Sequence, residues 1–63
     1  MLKKSDLTFL GFDFWCRPVY KHINGKIFKD ISLLGNENNV PNILHDTADN
    51  TFDGEPNNPY KFN

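Results

Sequence analysis

One cysteine in 63 residues, Cys16, leaves no second thiol for an intrachain disulfide. With only two histidines beside it, the chain also lacks the ligands of a structural zinc site of the four-cysteine or two-cysteine, two-histidine kind. No apolar run approaches the roughly 18 residues of a membrane-spanning helix. The stretch Leu7–Phe12 follows Lys3 and Lys4 but is too short for a secretory core and is cut by Asp13, so no targeting segment is expected. There is no helix-period apolar stripe, no glycine-rich phosphate loop, no nucleophile elbow and no paired metal-ligand spacing. A chain of this length also hardly encloses the roughly 300–1,000 Å³ of an ordinary substrate pocket, and the expectation is a non-enzyme without catalytic residues, metal or cofactor.

What remains is a single small domain. A domain of about 60 residues buries only about 60% of the surface its unfolded chain exposes, so some further staple is expected. With disulfide and zinc removed, self-association as a homodimer is the leading candidate. Charge is divided unevenly: residues 1–31 hold six cations against three anions, and residues 32–63 hold one against five. Such asymmetry steers partners or marks a solvated surface and does not determine fold.

The strongest local signal spans residues 17–31, where two runs rich in β-branched and aromatic residues flank Asn24-Gly25, a dipeptide that accepts positive φ in a hairpin turn. A three-residue turn ending in Gly25 sets Tyr20 opposite Phe28, and the aromatic pair favours that register over a two-residue turn. Before it, Phe12, Phe14 and Cys16 alternate with Asp13 and Trp15, which reads as a strand with Gly11 as a bulge and Arg17-Pro18 as the corner into the hairpin. Residues 35–41 read as a loop, residues 42–47 as a short edge strand and residues 46–51 as one possible helical turn. Pro56 and Pro59 make the acidic tail look irregular, with Phe52, Tyr60 and Phe62 as apolar anchors. The expected fold is mostly β: a small antiparallel meander of three to four strands. Its core lies in residues 1–34, with a loop, short strand and acidic tail in residues 35–63.

Candidate sites are few. Asp49 to Glu55 matches the opening half of a calcium loop, but position 12 is Tyr60 instead of a bidentate glutamate, and a plain acidic turn is the better reading. Cys16 shares its expected strand face with Phe12 and Phe14 and reads as a small buried hydrophobe; His22 and His45 read as strand-end or surface residues. Trp15, Arg17, Tyr20, Lys21 and Lys29 interleave aromatics with cations, as single-strand nucleic-acid platforms do, although a net charge of −1 makes nucleic acid a secondary expectation. Tryptophan, tyrosine and arginine also dominate protein interfaces, which nominates Trp15, Arg17 and Tyr20 as partner-binding residues. The acidic Asp53 and Glu55 of the tail stay available to the same partner.

From Phe14-Trp15-Cys16-Arg17-Pro18-Val19-Tyr20-Lys21, through Asn24-Gly25-Lys26-Ile27-Phe28-Lys29-Asp30-Ile31, to Asp53-Gly54-Glu55-Pro56, the chain resembles a family of short proteins of Firmicute bacteria, their phages and other mobile elements. The family pattern is DxWxRPVxK…NGxxYKDxxL…DGEP. Phe28 stands where the family often has tyrosine, and residues 43–47 depart from its usual leucine-tyrosine-threonine. The chain is also similar in kind to phage counter-defence inhibitors, such as the one that blocks the Hachiman defence system. That resemblance implies a non-enzymatic protein that binds a bacterial host defence protein in the host cytosol, away from any membrane. The alternative is a small nucleic-acid- or nucleotide-binding accessory module, a nucleotide sponge included.

Overall fold

The computed structural model describes all 63 residues. It contains five strands, β1 (Leu7–Phe12), β2 (Pro18–His22), β3 (Ile27–Lys29), β4 (Ile43–Thr47) and β5 (Pro56–Lys61), with single 3-10 turns at Lys4–Asp6 and Ala48–Asn50. They form one antiparallel sheet in the order β1-β2-β3-β4-β5, so the mostly β meander is as expected but has five strands instead of three to four. The second half of the chain is thus no appendage: β4 and β5 complete the same sheet.

The first correction concerns the tail, which is strand β5 and not irregular. Its register sets Thr47 opposite Pro56 and His45 opposite Pro59, with a bulge between. A proline is compatible with an edge strand when its missing N–H would have pointed away from the sheet, and both positions satisfy that condition.

The Asn24-Gly25 hairpin has the expected register. His22 N–H donates to Lys26 C=O at 2.9 Å, Gly25 has φ 91°, and Tyr20 faces Phe28. β1 has its expected irregularity as well, since the pairing shifts between Phe9 and Gly11. Leu10 is the extra residue, and the shift returns Phe12 to the face of Phe9, with ring centroids 5.4 Å apart.

The sheet curls until its two ends meet. Lys4 N–H donates to Asn63 C=O at 2.8 Å and Asn63 N–H to Leu2 C=O at 3.0 Å, joining the segment before β1 to the segment after β5. Phe62 therefore stacks edge-on against Phe28 at 5.0 Å, although their strands are not neighbours. Tyr20, Phe28, Leu44 and Phe62 form the buried core, with Leu2, Leu7, Phe9, Val40 and Tyr60 packed around it. The core face of the sheet is thus filled by the chain's own termini, through Leu2 and Phe62, and by Val40 of the 35–41 loop. No helix is long and apolar enough to cross a membrane.

Candidate functional site

β1 ends at Phe12, earlier than its alternating pattern suggests, because Asp13 captures the chain. Its Oδ1 accepts from the N–H groups of Trp15 and Arg17, both at 2.8 Å, and Cys16 N–H donates to Asp13 C=O. Asp13 N–H donates to Arg17 C=O at 3.0 Å, which closes a three-residue hairpin loop, Phe14-Trp15-Cys16. Such loops end in a left-handed residue, and Cys16 takes that position with φ 63°. Cys16 is therefore exposed at a turn and does not pack with Phe12 and Phe14, which are themselves exposed. The corner lies at residues 14–16 instead of Arg17-Pro18.

The second oxygen of Asp13 accepts from Lys29 Nζ at 2.7 Å and from Arg17 Nε at 2.9 Å. Lys29 is 0% exposed and the Asp13 side chain 1%, so this is a buried ion pair with a second cation at its rim. Burial alone would raise the Asp13 pKa, but hydrogen bonds from Lys29 and from the Arg17 backbone and guanidinium outweigh it and hold the carboxyl well below the usual range.

The residue just past β3 repeats the device. Asp30, fully buried, accepts from Ser32 N–H and Oγ–H and from Gly35 N–H, and so wraps the loop that follows β3. Tyr20 reaches the same loop from the core, its hydroxyl directed at the carbonyls of Asn36 (2.9 Å) and Asn39 (3.1 Å). Burial, and then the neighbouring Asp30 charge, push the Tyr20 pKa up to about 12.

Because antiparallel strands alternate in direction, the β1–β2 loop and the β3–β4 loop lie at the same end of the sheet. That end carries seven of the ten exposed large apolar side chains: Phe12, Phe14, Trp15, Ile31, Leu33, Leu34 and Ile43. Phe14 is 86% exposed and Trp15 66%, with their rings edge to face at 5.7 Å. Most of the charge at this end is turned inward, since Asp13, Lys29 and Asp30 are buried and Arg17 is mostly covered, leaving Glu37 and Lys61 exposed. Leu33, like Cys16, holds a positive φ of 63°, so each presenting loop contains one strained residue. Apolar side chains facing water on two loops pinned by buried carboxylates form a rigid surface suited to desolvation by a partner.

Of the residues nominated from sequence, Trp15 lies at this surface and Arg17 at its base, mostly engaged with Asp13. Tyr20 is a core residue, 1% exposed, and is unavailable to a partner. Asp53 and Glu55 are exposed in the β4–β5 connection at the opposite end of the sheet, so the structure does not bring them to Trp15. Phe14, Leu33 and Leu34 were missed. Asp13 four residues before Arg17 was the available signal, because an aspartate opening a short loop bonds the backbone N–H groups that follow it.

His22 closes β2, as its strand-end reading expects, but it is buried instead of lying at the surface, and its Nδ1 accepts from Asn24 N–H at 3.1 Å. His45 is half-buried. No three His, Cys, Asp or Glu side chains converge as a metal site would need. One open hollow of about 270 Å³, lined by Thr8, Leu10, Lys21, His22 and Ile23, lies away from the apolar end. No protein-family model, curated protein or solved structure matches the chain.

Proposed function

We propose that this chain is a non-enzymatic binding protein that acts as a homodimer and engages a partner protein through the apolar end built by the Phe14-Trp15 loop and the loop after β3. One observation carries the reading: Phe14 and Trp15 stand in water on a loop whose backbone Asp13 holds rigid. Aromatics fixed in advance lose little conformational freedom on binding, and that is the property of an interface anchor. The likeness in kind to phage counter-defence inhibitors, separate from the family pattern, directs the partner to a bacterial defence protein, and on this reading the chain is a phage or mobile-element inhibitor of anti-phage defence acting in the host cytosol. The nucleic-acid reading loses support, because Lys29 is buried, Arg17 is engaged with Asp13, and Lys21, the one exposed cation of the three, lines the hollow away from the Phe14-Trp15 loop.

The test is to express the chain in bacteria that each carry one anti-phage defence system and to count plaques. Restored plaquing against one system, lost in a folded Phe14→Ser/Trp15→Ser variant, supports the reading. No effect on any system, or equal activity in the variant, overturns it. Salt-sensitive binding to oligonucleotides that ignores the double substitution would replace it with the nucleic-acid alternative.

A further inference from the structure

The two edges of the sheet differ in what they offer another strand. Along β5, the bonds from Ala48 N–H to Glu55 C=O and from Phe62 N–H to Asn42 C=O fix which residues face β4. With the bulge between them, Pro56 and Pro59 both fall where the backbone nitrogen points away from the sheet. That edge is closed to further pairing, as prolines on edges generally arrange.

β1 carries neither proline nor charge. The bonds from Ile23 N–H to Asp6 C=O and from Asp13 N–H to Arg17 C=O fix its alternation, and the Leu10 bulge resets it once. Leu7, Phe9 and Phe12 consequently turn their backbone groups outward. The N–H of Leu7 is taken by Lys4 C=O, which leaves the N–H groups of Phe9 and Phe12 and the carbonyls of Leu7, Phe9 and Phe12 facing outward with no strand beyond them. Bulges commonly spoil an edge. Here the bulge instead substitutes Phe12 for Gly11 in the outward row.

We infer that β1 pairs antiparallel with β1 of a second copy, about a twofold axis at Phe9. The free groups are self-complementary in that arrangement. Phe9 exchanges both its bonds with Phe9 of the second copy, and Phe12 N–H donates to Leu7 C=O of the second copy, reciprocally. The one outward donor this register leaves idle is the Leu7 N–H, already used within its own chain, and its counterpart acceptor, Phe12 C=O, is left to water. Twofold pairing of this kind is isologous and closes on itself, so it yields a dimer with one continuous sheet instead of a filament. It assigns a surface to the homodimer proposed above, rests on that part of the reading, and is independent of the defence partner.

A chain of 63 residues is accessible to chemical synthesis, which permits a methyl group on the Phe9 nitrogen. That change removes one outward donor and obstructs the seam, but leaves the phenyl ring and the β1–β2 ladder in place. Sedimentation equilibrium at micromolar concentration should give twice 7.3 kDa for the unmodified chain and 7.3 kDa for the N-methyl chain, with the same circular dichroism. Should the N-methyl chain fail to fold, Thr8→Lys serves instead: it sets like charges beside the twofold axis and should weaken association by roughly tenfold or more at low salt. Dimers that persist in the folded variant overturn the edge assignment while leaving the homodimer standing. A monomeric unmodified chain overturns both, and the plaque assay judges the defence reading separately.

Discussion

Asp13 and Lys29, 16 residues apart in the chain, meet at 2.7 Å with both side chains out of water. The pair ties the Phe14-Trp15 loop to β3, and Asp30, the next residue, ties the following loop to the same strand. One short strand thereby sets the geometry of the whole apolar end.

Breaking the pair by Lys29→Met should cost about 3 kcal/mol or more, because the carboxylate stays buried with only Arg17 to balance it. A domain of this length holds only about 3–9 kcal/mol in total, so urea unfolding should show a large loss. The double variant Asp13→Asn/Lys29→Met should be more stable than the sum of the single losses allows, giving a favourable coupling in a double-mutant cycle.

Stability should fall at both pH extremes for separate reasons. Asp13 has a lowered pKa in the fold, so as pH drops the unfolded chain takes up the proton first; stability is whole above the ordinary value of 3.8 and declines below it. Tyr20 has a raised pKa, so the unfolded chain loses its proton first, and stability present below pH 10.0 is lost as pH climbs toward about 12. Circular dichroism against pH should show both limbs, and Tyr20→Phe should remove the Tyr20 contribution to the alkaline one. At neutral pH that variant should lose about 1–2 kcal/mol, since the Asn36 and Asn39 carbonyls forfeit their donor.

Cys16 occupies a left-handed position that favours glycine. Cys16→Gly should raise stability by up to about 1 kcal/mol, whereas Cys16→Ala, which keeps the strained Cβ, should change it little. Thermal melts of the two variants measure the difference, and activity in the plaque assay should survive both.

Gly35 is needed for space. A Cβ there would lie 2.5 Å from the Tyr20 hydroxyl and 2.8 Å from Pro41 Cδ. Gly35→Ala should therefore cost about 2 kcal/mol, measured by urea titration, and should loosen the loop that presents Leu33 and Leu34.

The central hairpin was legible because its determinants are local: Asn24-Gly25 selects the turn, and Tyr20 and Phe28 select the register. β5 was illegible for the opposite reason. Proline speaks against a strand unless one knows which way its nitrogen faces, and that follows only from pairing with β4. At the candidate site, Trp15 was found by residue type alone. The alternation that seemed to bury Phe12, Phe14 and Cys16 was ended by Asp13, whose decisive partner, Lys29, lies on another strand. Tyr20 was misassigned because an aromatic suited to an interface is equally suited to a core, and burial depends on the closed sheet.

The most direct test of the apolar end as the binding surface is site-specific photo-cross-linking in the host whose defence the chain lifts. Benzoylphenylalanine replaces Trp15 in one variant and Lys26, exposed at the opposite end, in another. We expect position 15 to cross-link to one component of that defence system and position 26 to give no such product. Cross-linking from position 26 at equal yield, or none from position 15 in a variant that still lifts the defence, would contradict the assignment.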